Sequence, residues 1–183
     1  MAEELLEKIP VEARWAFTAT NLWRLTVLRG DKIIASIMGE GEGVIAPVMG
    51  AEKWFEINEK LYGDGGGMMY SMIKKMLNLH VEDAVSAAKL SIVALNLLMG
   101  PGVKTEIVET TLEKTIVRIY RCVVWDRYDE FKVLSEHRAC LPADPNWNKK
   151  GLKAIDSKVT FKLTKARPLG NPYCEWIFEF KEE

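Results

Sequence analysis

The sequence predicts an α+β fold in which N-terminal helices pack with a roughly four-stranded antiparallel sheet made of two hairpins separated by helices. Three observations predict it. Up to about residue 100, apolar residues recur at the three-and-four spacing of a helical face. Beyond residue 103, two segments alternate apolar with polar residues and are rich in Ile and Val. Each of these segments is split by a turn signal, so each reads as a hairpin.

The elements follow in order. From Val11 to Arg29, Trp15, Ala19, Leu22, Trp23 and Thr26 share one face, which predicts a helix ending near Gly30. The stretch after it is broken by Gly39, Gly41, Gly43 and Pro47, and helix resumes from about Gly50 to Tyr62. "GDGGG" then reads as a flexible hinge, with Asp64 as N-cap of a separate helix through "MMYSMIKKMLNL". Glu82 and Asp83 form an acidic start to "AVSAAKLSIVALNLLM", which stops at Gly100-Pro101. "TEIVET" and "KTIVRIYRCVVW" are two strands with a turn at 111–114, and 126–139 returns to helix. Asp144 as cap and Pro145 at the first helical position predict a further short helix. "KVTFKLTK" and "YCEWIFEF", joined by Ala166 to Pro172, form the second hairpin.

With 183 residues and 48% apolar content, the chain can bury one sizeable core and is short for two domains. Residues 1–183 are therefore expected to form a single domain, helical to about 100 and hairpin-helix-hairpin over about 103–181. Twenty-five basic against 26 acidic residues leave a net charge of −1, which argues against nucleic acid or anionic lipid as a partner. "MAEELLEKIP" lacks the basic start and apolar run of a secretory signal. The most apolar run, Leu90 to Met99, is about half of the ~20 residues a membrane span needs. A cytoplasmic location with no membrane contact is the expectation, and three cysteines without a close CxxC pair suit a reducing compartment.

Those cysteines carry the chemistry. Cys122 is expected at the end of the second strand, Cys140 near the end of the following helix and Cys174 at the start of the last strand. His137 precedes Cys140 by three residues, so imidazole and thiol share a helical face. If the last strand lies beside the second, Cys122, His137, Cys140 and Cys174 form a set of the softness and number that zinc prefers; three thiolates alone would suit an iron–sulfur cluster. Free cysteine is commonly buried as a plain hydrophobe, and packing is the first reading of all three. A catalytic thiol is also open, with Cys140 and His137 as the better dyad. "GEGVIA" matches a dinucleotide fingerprint formally, but Glu40, Glu42 and Pro47 speak against it. Met68, Met69, Met72 and Met76 read as core, and Trp125 and Trp176 flank the cysteines of the two hairpins.

With "RCVVW", "HRACLPADPNW" and "LTKARPLGNPYCEWIFEF" in place, the chain resembles the L-2-amino-thiazoline-4-carboxylic acid hydrolase-like proteins, from about Trp15 to Phe180. More distantly it is similar to the 4-vinyl reductase domain, a hydrocarbon-binding fold whose phenol-sensing members bind zinc through cysteines. Cys122 and Cys174 match two of those positions; "LTKAR" departs from the rest. The resemblance implies a small-molecule-binding carrier or sensor with a cysteine-lined metal site. As an alternative it implies hydrolysis of a cyclic amidine, with Arg121 or Arg138 holding a carboxylate; Trp125 and Trp176, read from the residues as core, would in the other reading form a stacking wall for a planar substrate. A third reading is a scaffold that dimerises through its N-terminal helices and keeps its thiols for packing.

Overall fold

An unbroken apolar helix laid across one face of an antiparallel sheet organises the chain. The computed structural model describes residues 2–14, 48–99, 102–130, 132, 140–156 and 158–181. Most of the helix expected over Val11–Arg29, the "GEGVIA" stretch, Glu136, His137 and Arg138 lie outside the described residues. The helices are α1 (Ala2–Glu7), α2 (Ala51–Met76), α3 (Ala84–Met99), α4 (Val123–Glu130) and α5 (Cys140–Ile155). The strands are β1 (Lys104–Thr110), β2 (Lys114–Arg121), β3 (Val159–Lys165) and β4 (Cys174–Phe180).

Helix α3 begins where its acidic start predicts: Ser86 N–H donates to Asp83 Oδ1 at 2.6 Å, and Asp83 N–H donates back to Ser86 Oγ at 3.2 Å, satisfying two orphan amides reciprocally. Ala84, Leu90, Val93, Ala94 and Leu97 are buried on several sides of it, because sheet and helices surround it. The sheet order is β1-β2-β4-β3, antiparallel throughout. The last strand therefore does lie beside the second, with Ile119 paired to Cys174. Alternation sends Val117, Ile119, Trp176, Phe178 and Phe161 into the core and Arg118, Glu175 and Lys162 to the opposite face. Phe161, Trp176 and Phe178 meet edge to face at 5.4–6.2 Å. Among the described residues no helix is long and apolar enough to cross a membrane.

Three local expectations are corrected. "GDGGG" is no hinge and Asp64 no cap: both lie inside the single 26-residue helix α2. Four glycines in a helix cost about 4 kcal/mol relative to alanine, at about 1 each, and only close packing offsets that. Helix α5 supplies it, since a Cβ on Gly66 would collide with the backbone carbonyl of Trp147 and one on Gly65 would stand 3.1 Å from the Trp147 ring. The approach is mutual, because a Cβ on Gly151 would sit 2.7 Å from the Tyr70 ring.

The second correction concerns "CVVW", which leaves the sheet. Strand β2 ends at Arg121, and Asp126 N–H donates to the Cys122 carbonyl at 3.1 Å as α4 begins. Past Arg121 neither neighbour offers a pairing partner, so Val124 and Tyr128 bury themselves at helical spacing instead. Third, Asp144 is not a cap. Helix α5 starts at Cys140, Pro145 sits inside it at the loss of one early hydrogen bond, and Cys140 opens this helix rather than closing the one before.

The helix contact makes a paired test. Gly66→Ala should destabilise by about 2 kcal/mol or more through backbone overlap. At Gly67 the nearest atoms are 3.8–3.9 Å away, so Gly67→Ala should be neutral or stabilising by up to about 1 kcal/mol. Urea denaturation of the two variants checks the contrast.

Candidate functional site: a thiol-lined apolar cavity

Where the end of β2, the start of β4 and the first turns of α4 and α5 come together, the side chains do not close the space. A cavity of about 90 Å³ remains, walled by Leu95 and Leu98 of α3, Trp125 and Tyr128 of α4, and Trp147 and Trp176. A second depression, about 370 Å³ by the same measure, opens widely to solvent along edge strand β3 and is crossed by Lys149, Lys162 and Lys165. The smaller, more enclosed and more apolar cavity is the better ligand site.

All three cysteines line it: Cys122 just past β2, Cys140 at the first residue of α5 and Cys174 at the first residue of β4. The juxtaposition follows from the β2–β4 pairing, which brings Cys174 to the strand end that Cys122 follows. Cys174 Sγ accepts a hydrogen bond from the Arg167 amide at 3.5 Å. Burial pushes the Cys174 thiol up to about 11 and raises Cys122 as well, so both are neutral thiols at pH 7. Among the described residues no three His, Cys, Asp or Glu side chains are grouped so as to hold a metal ion. The described residues thus do not by themselves make a zinc or iron–sulfur site; His137, the expected fourth ligand, lies outside them.

The other expected site residues divide. Trp125 lines the cavity with the Arg167 guanidinium 4.8 Å above its ring. Trp176 lines it too and donates its Nε1–H to Asp144 Oδ2 at 2.7 Å. Arg121 is ion-paired with Asp126 at 2.9 Å at the surface, away from the cavity wall. Arg138 lies outside the described residues.

Asp144 is the residue that sequence reasoning missed as a site. Protein surrounds it, and the surface it retains is cavity wall, which is why it is half-buried by area and yet strongly desolvated. Asn148 Nδ2–H donates to Asp144 Oδ1 at 3.1 Å, and Tyr70 donates its hydroxyl to Asn148 Oδ1. A chain Tyr70–Asn148–Asp144–Trp176 thus runs through an otherwise apolar core. Burial drives the Asp144 carboxyl up to about 7, and the bonds from Trp176 and Asn148 only partly counter it. The i, i+4 spacing of Asp144 and Asn148 was the available signal, hidden by the reading of Asp144 as a cap.

No family model and no curated protein matches the chain. Among solved structures, it is similar to a trafficking protein particle complex subunit 3 from Naegleria fowleri covalently bound to palmitic acid. That match has a TM-score of 0.56 at 14% identity and covers 83% of this chain and 98% of the other. It is also similar to the phenol-responsive sensory domain of the transcription activator PoxR with phenol. There the TM-score is 0.57 at 10% identity, covering 80% of this chain and 73% of the other. At such identities the likeness shows a shared fold.

The raised Asp144 carboxyl has a pH consequence. Its folded value lies above the unfolded one, so the native state holds a proton that the unfolded state has lost, and stability falls as pH rises between about 4 and 7. The wild type should be more stable at pH 5 than at pH 8 by about 2 kcal/mol from this group, allowing for water in the cavity. Asp144→Asn should remove that share of the slope, as read by denaturant melts at both pH values.

Proposed function

We propose that this chain is a small-molecule-binding domain, a carrier or sensor, whose site is the cavity between α3, α4, α5 and the sheet. The observation that carries the reading is the composition of the wall. Apolar and aromatic side chains enclose a single described carboxyl, oriented by Trp176 and Asn148, with three thiols beside it. Leaving a desolvated carboxyl against empty space is costly for a core and ordinary for a binding site. Two proteins sharing the fold carry small molecules, palmitic acid in one and phenol in the other, which supports the same use here. Leu95 and Leu98 give the wall an aliphatic side along which an alkyl chain can lie.

The test is a titration with 1-hexanol and n-hexane, read by the fluorescence of the tryptophans in the wall. Saturable binding of at least one is expected, and Leu98→Trp, which fills the cavity, should weaken it at least tenfold. No saturable binding of either would overturn the reading.

A zinc held by Cys122, Cys140, Cys174 and His137 would add a rigid clamp at the cavity edge. One zinc per chain, lost in Cys174→Ser, would install it; metal-free protein would leave the thiols as packing. Hydrolysis of a cyclic amidine such as 2-amino-thiazoline-4-carboxylate would need an activated thiolate; burial raises the thiols of Cys122 and Cys174 away from that role, which leaves it to Cys140. Ring opening that survives in wild type but fails in Cys122→Ser, Cys140→Ser or Cys174→Ser would reverse the preference.

A further inference from the structure

We propose that the ligand of this cavity is an amine, a basic nitrogen on a small apolar body, and that Asp144 is the residue that pairs with it. The proposal rests on the cavity being a binding site and names what it selects.

Among the described residues, the bonds to the carboxyl come from neutral donors: Trp176 Nε1–H to Oδ2 at 2.7 Å and Asn148 Nδ2–H to Oδ1 at 3.1 Å. A carboxylate offers about four acceptor positions, and these bonds use two. Asp144 lines the cavity and is only half-buried, and the proposal assigns its unused lone pairs to the ligand. No ion pair described in the structure involves Asp144. Among the described residues the wall carries one cation, Arg167, which is engaged over the Trp125 ring. Among the described residues, the other titratable groups around Asp144 are Cys122 beyond β2, Cys140 on α5, Cys174 on β4, Tyr62 and Tyr70 on α2 and Tyr128 on α4, none of them cationic, while α3 contributes Leu95, Leu98 and Met99.

Three kinds of ligand head can be compared on that ground. An alkyl group leaves the carboxyl desolvated and unpaired. A hydroxyl donates one hydrogen bond but brings no charge. An ammonium donates and also neutralises the carboxylate, offsetting the cost of burying it, and the rings of Tyr62, Tyr128 and Trp147 on the same wall attract a cation in addition. The apolar remainder of the ligand then lies along Leu95 and Leu98.

The proton follows the pair. An ammonium head binds the ionised carboxylate, so below the carboxyl's own value of about 7 a proton must leave Asp144 before the pair forms. Amine affinity should therefore fall as pH drops from 8 to 6, whereas alcohol and alkane affinity should not.

The experiment compares n-hexylamine, 1-hexanol and n-hexane by tryptophan fluorescence at pH 8 and pH 6. Wild type, Asp144→Asn and Trp176→Phe are used, with thermal melts to confirm folding. In wild type at pH 8, hexylamine should bind at least tenfold more tightly than hexanol, and about tenfold more tightly than it does at pH 6. Asp144→Asn should erase both differences while still binding hexanol. Trp176→Phe removes a bond that holds the carboxyl down, so the midpoint of the hexylamine pH profile should move upward; this variant decides the matter if Asp144→Asn does not fold. Hexanol or hexane binding as tightly as hexylamine in wild type would overturn the amine while leaving the cavity a binding site. A preference that persists in Asp144→Asn would overturn the role of Asp144. Failure of all three probes would overturn the binding reading itself.

Discussion

The close approach of α2 to α5 is the contact on which the rest depends. Two helix backbones can come this near only where one side has no side chains, and Gly65 and Gly66 provide that opposite Trp147. Gly151 does the same opposite Tyr70. With α5 seated this deeply, its inner face is carried toward the sheet, and Asp144 and Asn148 come within hydrogen-bonding reach of Trp176 on β4 and Tyr70 on α2. The Trp147 ring, held edge-on between Tyr62 at 6.5 Å and Tyr70 at 6.4 Å, becomes a wall of the cavity.

Two neighbouring positions on β4 bring out how differently the fold treats its carboxyls. Glu175 faces the outer side of the sheet. Burial pushes it up, but bonds from Arg118 at 2.9 Å, Thr164 at 3.0 Å and Lys165 outweigh that and hold it below the usual carboxylate range. The Tyr173 ring packs beneath both cations, at 4.6 Å from Arg118 and 5.2 Å from Lys165. One residue on, Trp176 turns inward and meets Asp144, which has neutral partners and a raised carboxyl. The outer carboxyl is compensated by its own protein. The inner one is ionised only at a cost that something entering the cavity could relieve.

Much of the fold was legible in the residues. Alternation in "KTIVRIYR" and "CEWIFEF" placed both hairpins and their inward faces, since a half-buried strand can bury every second residue only. Glu82 and Asp83 marked the start of α3, and Asp83 caps it because its side chain satisfies an amide that helix geometry leaves open. Strand order led to the expectation that Cys122, Cys140 and Cys174 meet at one end of the sheet; they line one cavity there, Cys140 from the start of a helix rather than the end of one, and among the described residues they are not grouped as metal ligands.

What the sequence by itself determined is therefore the class of fold, the strands and the end of the sheet where the thiols collect, because these follow from periodicity and capping, which act between residues close along the chain. Only the tertiary structure decided that "GDGGG" is the middle of a helix and that Asp144 is a buried anchor instead of a cap. Both outcomes depend on partners about 80 and 30 residues away, Trp147 across from Gly66 and Trp176 across from Asp144. Local preference favours a hinge at four glycines and a cap at an Asp-Pro pair; packing energy between distant segments reversed it in both places.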